Sequence, residues 1–560
     1  MGQASCNANA ASHRGGTQPY TRRRPEATVL HRVVREHKAT LFAEAEARSA
    51  SGRGYPPHVR DEFDKYERCG ILAYGLIRAR CQTCGDEQVV ALSCKRRTLC
   101  SSCAGRRMSE VTTHLVEDVL PVARYRQWTL SVPWRVRVLL MVHPELVSRL
   151  QRLLVRVLST YARRQARDLM AVRGTPLGRG AKLLTGAVVS IQRFGSRLTL
   201  HIHMHLVVPD AVWLRGADGT LTVIDLPAPS DDDVAKLAHT VCRKMTAVVG
   251  RWQEARGEVE APEEAEELTS LVMADLGAAA PRIDEEPTQK RRGRLAAMCD
   301  GYSLECRPNV GPHDRRGLAR LLRYGTRPAF SQERLSLENG RVVYKLAKPF
   351  WTGQTHVILE PVEFLRRIAA LIPPCRFHGI RYHGIFAAAA KDRAKACALA
   401  PPVDDADEAV EGGSEGRGDR RPGGAHAVSV ATQSTAIAAG TRNSADDPTR
   451  DAPYRKRQRM EWARLLAQVF AVDVLRCPCG GERKVIAALT RRQSPDALRR
   501  YLEHIGEPAV PPPSSSARAP PQAELSFGAP ADAATADTAD TADPRDLMDP
   551  MPDWDAHFAD

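Results

Sequence analysis

The stretch that decides the fold runs from residue 185 to residue 210 and reads TGAVVSIQRFGSRLTLHIHMHLVVPD. Its first β-like run, around 188–191, is apolar. Its second run, 198–208, alternates between apolar and polar side chains. The short stretch 194–196 between them is a candidate hairpin turn. The pattern therefore predicts a β-hairpin, set in a longer region (about 115–390) where apolar β-like runs alternate with helical stretches, as in an α/β or α+β domain.

Three histidines share one face of the second run. His201, His203 and His205 project to the same side because side chains alternate along a strand, and apolar residues occupy the reverse side. Three imidazoles in a row are unfavourable in a hydrophobic core, but they are well suited to binding a metal ion. Two histidines cannot fill a coordination sphere, so a neighbouring element must supply a third ligand. The remaining open positions suit Mg²⁺ or Mn²⁺ holding a phosphate.

Gln192, in the first run, is a candidate for this third ligand. Its parity along the strand is compatible with the histidine face. A turn centred on 195–196, however, places Gln192 opposite Thr199 rather than opposite His203. Gln192 then reaches the ion only if the turn is longer or if the ion lies toward His201.

A cysteine-rich block precedes this region. Two Cys-x2-Cys pairs stand fifteen residues apart, and their members are Cys81, Cys84, Cys100 and Cys103. Two residues between sulfurs let a tight turn direct both thiolates at one tetrahedral Zn²⁺. We predict that these four cysteines hold one structural zinc ion. Cys94 could replace a ligand or help to form a second site, and the role of Cys69 is left open.

Basic side chains surround the cysteine pairs. They are Lys95, Arg96, Arg97, Arg106 and Arg107. The whole chain has 81 Lys and Arg against 66 Asp and Glu, a formal charge of +15. Such an excess favours a polyanionic partner, because each neutralised phosphate releases a counterion. A basic zinc ribbon commonly contacts nucleic acid, so we predict DNA contacts here, with a solvated basic face as the alternative.

The sequence disfavours two classes of protein, membrane-spanning proteins and secreted proteins. No apolar run reaches the roughly 18 residues of a membrane helix, and the first residues lack the apolar stretch of a secretory signal. The clustering of cysteines between positions 69 and 103 points to metal binding in a reducing compartment rather than to disulfides. We therefore expect a cytoplasmic protein without a membrane partner.

Tyr324 is a candidate nucleophile in the stretch 311–330, GPHDRRGLARLLRYGTRPAF. An apolar helical stripe precedes it, and Arg320, Arg323 and Arg327 lie around it. A phenol with a pKa of about 10 is inert unless cations or a metal-held phosphate stabilise its phenolate. The residues alone leave two interpretations open: attack on a phosphodiester, or a buried aromatic side chain at a helix end.

Several segments, taken in their order along the chain, resemble those of the transposases typified by insertion sequence 91, which are HUH endonucleases. The segments are CGDEQVVALSCKRRTLCSSCAGRRM, RQWTLSVPW, IQRFGSRLTLHIHMHLVV, LLRYGTRPAFSQERLS, VVYKLAKPFWTGQTHVILEPVEFLRRIAALIPP and RYHGIFA. The likeness runs from about residue 60 to residue 395, with a weaker echo at 460–506. It implies an α+β fold, with a zinc-ribbon-like module followed by an antiparallel sheet with helices on one face.

The resemblance also implies a reaction. His203 and His205 would bind the divalent ion that polarises a scissile phosphate, and Tyr324 would attack that phosphate, leaving a 5′-phosphotyrosine and a free 3′-OH. His201 is additional, because the family motif needs only one histidine pair. The implied partner is single-stranded DNA at transposon ends and target, and the implied location is nucleoid-associated. Target sequences and oligomeric state are not implied.

Two features depart from the family pattern. Some relatives have a second tyrosine four residues before the nucleophile, where this chain has Arg320, so it resembles the single-tyrosine subgroup. Near the C-terminus, Cys477-x-Cys479 stands where relatives often have Cys-x2-Cys. One intervening residue crowds two thiolates on one ion, so we predict no zinc there.

Other assignments stay open. Tyr382 competes with Tyr324, because RYHGIFA also resembles a family motif and His383 could act as a base, whereas Tyr344 lies in an alternating strand. A plasmid replication initiator or relaxase would share the histidine pair and the tyrosine. A non-enzymatic zinc-ribbon DNA-binding regulator would explain the cysteines and the charge but leave the histidine strand idle. An iron oxygenase would want a carboxylate ligand beside the histidines.

The predicted domain organisation follows composition along the chain. It comprises a disordered start (1–25), a zinc-binding DNA-contact domain (26–112), a catalytic domain (113–398) with an insertion (254–297), a disordered linker (399–453), a small C-terminal helical segment (454–507) and a disordered acidic tail (508–560).

Overall fold

The structure is a computed structural model, and it describes residues 22–49, 51–256, 290–291, 293–349, 353–399 and 475–518. Most of the predicted disordered start, insertion, linker and acidic tail lies outside these residues. The first part of the predicted C-terminal helical segment, 454–474, lies outside them as well.

The described chain contains both helices and strands. The helices are α1 (Val29–Arg48), α2 (Pro57–Glu67), α3 (Ser101–His114), α4 (Trp134–Val142), α5 (Pro144–Val172), α6 (Asp231–Arg256), α7 (Arg315–Thr326), α8 (Pro361–Leu371), α9 (Arg393–Ala398) and α10 (Pro495–His504). Short helical turns lie at Pro25–Ala27, Leu72–Tyr74, Leu115–Val119 and Gln332–Arg334.

The strands build one large sheet and three small ones. They are β1 (Gly75–Cys81), β2 (Glu87–Ala91), β3 (Tyr125–Ser131), β4 (Lys182–Leu184), β5 (Gly186–Phe194), β6 (Leu200–Pro209), β7 (Ala211–Arg215), β8 (Leu221–Asp225), β9 (Lys290–Arg291), β10 (Ala296–Cys299), β11 (Tyr302–Glu305), β12 (Asn309–Val310), β13 (Leu335–Glu338), β14 (Arg341–Lys345), β15 (His356–Leu359), β16 (Ile380–Gly384) and β17 (Arg483–Thr490).

The large sheet has the order β16-β5-β6-β3-β11-β10-β9, and β12 also pairs with β3. Every described pairing in it is antiparallel. The predicted hairpin is β5–β6, at the centre of this sheet. The α+β fold with an antiparallel sheet is thereby confirmed.

The two faces of β6 have different neighbours. Ile202, Met204 and Leu206 are buried in the main hydrophobic core, together with leucines of α5 such as Leu146 and Leu150. Helix α4 contacts β6, and α5 packs against α6. The histidine face instead carries α7, which contacts both β5 and β6. The sheet therefore has helices on both faces, not on one as the resemblance implied.

The N-terminal module (residues 22–114) is completed by the C-terminal segment (residues 475–518). Strand β17 pairs with β1 and extends its hairpin with β2 to three strands. Helix α10 buries Leu498 and Leu502 in a small core with Leu72 and Leu76. Burying these apolar side chains favours the association of the two segments.

The chain beyond α10 runs along α1. Ser515 donates its backbone N–H to the carbonyl of Arg35 (3.1 Å), and Arg518 donates its N–H to Thr40 Oγ1 (3.0 Å). The predicted start of the tail, at residue 508, therefore falls within a described segment that bonds to the N-terminal module. No helix among the described residues has the length and apolarity to cross a membrane.

Candidate active site and cysteine clusters

A row of three imidazoles lies along β6. The ring centroids of His201 and His203 are 4.8 Å apart, as are those of His203 and His205, and all three side chains are buried. Burial lowers the pKa of His201 and of His205 well below the usual histidine value. These rings are therefore neutral at neutral pH, which is the form that binds metal ions.

Hydrogen bonds at Nδ1 decide which nitrogen can bind a metal. His203 Nδ1 lies 2.9 Å from the backbone oxygen of His201, and because a carbonyl only accepts, Nδ1 carries the proton and Nε2 the lone pair. His205 Nδ1 lies 3.1 Å from Thr129 Oγ1, which can accept its proton, and 3.2 Å from the side-chain amide nitrogen of Gln127, which would instead donate to it. When Thr129 accepts, the lone pair of His205 is on Nε2. His205 Nε2 is buried and has no hydrogen-bond partner within the described part of the chain. This is the arrangement that orients metal-binding histidines.

Gln192 stands directly beside the row. The structure corrects the predicted register, because Gln192 pairs with His203 and not with Thr199. The reason is a longer turn, closed between Gly195 and Thr199, together with a bulge after Gln192. Gln192 Nε2 donates to the backbone oxygen of Tyr324 (2.7 Å), which leaves the buried Oε1 without a partner among described residues.

Tyr324 lies next to the end of the row. Its ring centroid is 5.2 Å from that of His205, with the rings at 77°. The guanidinium carbon of Arg327 is 5.1 Å from the Tyr324 centroid. Of the other two arginines, Arg323 is exposed, and Arg320 Nη2 lies 3.7 Å from Asp314 Oδ2. Arg327 is therefore the predicted arginine that stands over the tyrosine ring.

Local sequence explains why a helix carries this tyrosine. The Asp314 side chain caps α7 by accepting the N–H of Gly317, which satisfies one of the donors left over at a helix start. One face of α7 is apolar and buried, and its leucines are Leu318, Leu321 and Leu322. They pack with Val188 and Val207 on the histidine face of the sheet.

Gly325 sets the distance between α7 and the sheet. A Cβ atom at this position would lie 3.3 Å from Ser190 Cβ and 3.5 Å from His205 Cβ, which is a tight contact. Ser190 and His205 are themselves cross-strand partners on β5 and β6. The missing side chain therefore lets the helix approach closely enough to place Tyr324 beside His205.

The competing tyrosines lie elsewhere. Tyr382 is opposite Val188 on β16 and packs against an apolar cluster. His383 Nε2 lies 2.9 Å from Gln151 Oε1 on α5, so this imidazole faces the other side of the sheet. Tyr344 is buried in the separate sheet β13-β14-β15, where burial raises its pKa. Neither arrangement matches that of Tyr324.

The structure divides the cysteines of this region into two clusters of four. Cluster A contains Cys69, Cys94, Cys100 and Cys103, and cluster B contains Cys81, Cys84, Cys477 and Cys479. Within each cluster all sulfur atoms lie within 4.8 Å of one another. The predicted grouping of Cys81 and Cys84 with Cys100 and Cys103 on one ion is therefore corrected.

The length of the β1–β2 hairpin explains the division. Cys81 and Cys84 lie at its tip, whereas Cys69 and Cys94 flank its open end. A strand of seven residues such as β1 spans about 20 Å, at roughly 3.3 Å per residue. One ion cannot bridge both ends, so Cys-x2-Cys spacing identified the pairs but not their partners.

The sulfur separations in cluster A suit one tetrahedral ion. Cys69 Sγ lies 3.7 Å from the sulfurs of Cys100 and Cys103, and Cys94 Sγ lies 3.6 Å from Cys103 Sγ. Four thiolates at about 2.3 Å from a zinc ion would stand about 3.8 Å apart. Cys94 and Cys69, which the spacing left unassigned, are thus members of this cluster.

The predicted DNA-contact residues have different surroundings. Arg97 and Arg107 line a pocket together with Gln192, Gly325 and Arg327, next to the histidine row. Arg97 also donates to the Phe377 carbonyl (3.1 Å). Lys95 is exposed and Arg106 is partly exposed, while Arg96 forms an ion pair with Asp61. The N-terminal module therefore contributes two cations to a pocket that Gln192 and Arg327 also line.

Comparisons with known families match two parts of the chain. Residues 36–132 match the transposase zinc-binding domain Zn_Tnp_IS91, and residues 186–394 match the Y2_Tnp family of transposases. The first range contains all of cluster A, and the second contains the histidine row and Tyr324. Searches of curated proteins and of solved structures gave no match.

The close packing at Gly325 gives a testable prediction. Gly325→Val should lower the free energy of unfolding by about 1–3 kcal/mol, because the added side chain overpacks the contact with Ser190 and His205. Thermal unfolding measures the effect. Gly250→Val is the matched control, since Gly250 is also helical and its Cβ would meet open space. Equal melting temperatures for the two variants would contradict the packing argument.

Proposed function

Because the chain belongs to the insertion sequence 91 family of transposases, we propose that it nicks and rejoins single-stranded DNA through Tyr324 during rolling-circle transposition. The observation that carries this proposal is the position of Tyr324. Its ring stands 5.2 Å from that of His205, and its backbone oxygen accepts a hydrogen bond from Gln192. A candidate nucleophile and two candidate metal ligands are thereby held in one unit.

We propose that His203, His205 and Gln192 hold the divalent ion, Mg²⁺ or Mn²⁺. His205 Nε2 and Gln192 Oε1 support this assignment, since both are buried and lack a hydrogen-bond partner among the described residues, a property that His201 Nε2 shares. A bound divalent ion would act as a Lewis acid on the scissile phosphate. We place the ion at the His205 end of the row rather than at His201, because Gln192 pairs with His203 and Tyr324 contacts His205.

The proposed strand cleavage is a direct displacement at phosphorus. The Tyr324 oxygen forms a bond to the phosphorus while the bond from phosphorus to the 3′ oxygen breaks. The phenol loses its proton and the departing 3′ oxygen gains one, so the products are a 5′-phosphotyrosine and a 3′-OH. Arg327, whose guanidinium stands over the ring, would stabilise the phenolate and the neighbouring phosphates. The reverse reaction rejoins strands without ATP.

Arg320 occupies the position where some relatives carry a second tyrosine. We therefore propose that Tyr324 alone serves the strand transfers of this chain. We also propose that cluster A holds the structural zinc ion of the matched zinc-binding domain, since its four sulfurs have suitable separations. This ion would stabilise the module that carries Arg97 and Arg107.

The nucleophile assignment predicts the behaviour of phenylalanine variants. Tyr324→Phe keeps the ring and removes only the hydroxyl, so it should fold, bind origin DNA and form no covalent adduct. Incubation with single-stranded origin oligonucleotide and Mg²⁺ or Mn²⁺, followed by denaturing electrophoresis, measures the adduct. Tyr382→Phe is the control and should retain it. An adduct with Tyr324→Phe and none with Tyr382→Phe would refute the assignment.

The metal assignment predicts a graded response along the histidine row. His203→Ala and His205→Ala should each abolish nicking, because each removes a ligand of the ion that stabilises charge on the phosphate. DNA binding should persist, since affinity comes mainly from basic contacts. His201→Ala should cause a partial loss at most. Nicking at a near wild-type rate by either of the first two variants would show that the ion binds elsewhere.

The pocket arginines predict a change in salt dependence. Arg97→Ala and Arg107→Ala should each weaken single-stranded DNA binding for all sequences alike. Each should reduce the slope of log affinity against log salt by about 0.7, the value for one phosphate contact on a single strand. Arg96→Ala is the matched control and should leave the slope unchanged, because Arg96 pairs with Asp61. If all three variants have the same slope of log affinity against log salt, Arg97 and Arg107 do not contact DNA phosphates in this pocket.

A further inference from the structure

Cluster B joins cysteines that are distant along the chain. The sulfur atoms of Cys81 and Cys479 are 3.6 Å apart, and those of Cys84 and Cys477 are 3.5 Å apart. The zinc-binding family match ends at residue 132, so it does not include the second pair. The spacing argument had excluded zinc at that pair, but it considered the pair alone.

We propose that cluster B holds a second structural Zn²⁺, which fastens the C-terminal segment to the N-terminal module. The measured separations are near the roughly 3.8 Å expected around a tetrahedral zinc ion with bonds of about 2.3 Å. They are far longer than the roughly 2.05 Å of a disulfide. Four thiolates leave no open coordination position, so the site is structural. This inference does not depend on the proposed function.

The two cysteine turns of cluster B are built alike. Cys81 donates its N–H to Asp86 O (2.8 Å), and Cys477 donates its N–H to Gly481 O (2.9 Å), so each turn is closed at its base. Each turn also directs a backbone N–H at a sulfur. Thr83 donates to Cys81 Sγ and Gly481 to Cys479 Sγ, both at 3.4 Å. Such donors stabilise the thiolate form that zinc requires.

Glycines explain how the shorter Cys-x-Cys turn reaches the same geometry. Gly480 has φ +85°, a left-handed conformation that closes the loop one residue earlier than in the first turn, where Gly85 has φ +77°. Gly481 lies against the other turn, where a Cβ would clash with Thr83 Oγ1 and stand 2.8 Å from Cys81 Sγ. The shorter spacing is therefore accommodated by two glycines in a row.

The strand pairing continues from these turns. Arg483 pairs in register with Cys81, and β17 follows β1 back to Gly75, opposite Thr490. Arg483 also forms an ion pair with Asp86, next to the first turn. The ion would therefore stand where the two segments first meet, and it would fix the register of β17.

Zinc analysis of the purified full-length chain tests the proposal. The Cys477→Ser/Cys479→Ser double variant should contain one zinc ion fewer per chain than the wild type, whatever cluster A holds. The matched control is Cys375→Ser/Cys397→Ser, which replaces two exposed cysteines outside both clusters and should contain as much zinc as the wild type. Equal zinc contents of the wild type and the Cys477/Cys479 variant overturn the proposal.

Thiol alkylation of the wild-type chain gives a test that does not depend on how a variant folds. Cys84 and Cys479 are exposed, as is Cys375, so in the absence of a metal all three should react, and a chelator should leave their rates unchanged. With zinc bound, Cys84 and Cys479 should be protected until a chelator is added, while Cys375 reacts at once. Reaction of all three at the same rate before chelation would overturn the proposal, as would a Cys81–Cys479 disulfide in the unreduced mass map.

Discussion

Strand β6 packs against a hydrophobic core on one face and carries three imidazoles on the other. Both are possible because successive side chains of a strand point to opposite faces. The buried Met204 lies between His203 and His205 in sequence but on the opposite face. Because β5 and β3 flank β6 in the sheet, polar partners such as Gln192 and Thr129 can reach the imidazoles from both sides. The rest of the candidate site depends on this separation.

Tyr324, the candidate nucleophile, is positioned by contacts of its helix with the same sheet. Gln192 contacts the backbone of Tyr324 through its amide nitrogen and stands opposite His203, so one side chain relates the helix to the histidine row. Gly325 allows the helix to reach that position. A displacement of α7 would therefore alter the separation of tyrosine and histidine at once, which favours a rigid, preorganised arrangement over one assembled by substrate.

Sequence periodicity was enough to predict elements that depend only on neighbouring residues. The alternation around the histidines and the helical stripe before Tyr324 depend on neighbouring residues, and both predicted elements are present. The register of Gln192 could not be predicted, because it depends on loop length and on a bulge. The partners of Cys81 could not be predicted either, since they lie in the turn before β17, a strand that comes from the other end of the chain. The spacing of two cysteines predicts the turn between them, whereas the fold decides which cysteine pairs share one ion.

Cluster A connects the zinc-binding domain to the candidate active site. Cys94 precedes Arg97, and Cys100 and Cys103 both lie between Arg97 and Arg107. A zinc ion held there would fix the backbone on both sides of Arg97 and on the N-terminal side of Arg107. Cations fixed in this way lose less conformational entropy when they bind a phosphate than cations on a free loop. An ion in cluster A would thus order the two arginines that line this pocket before any phosphate binds there.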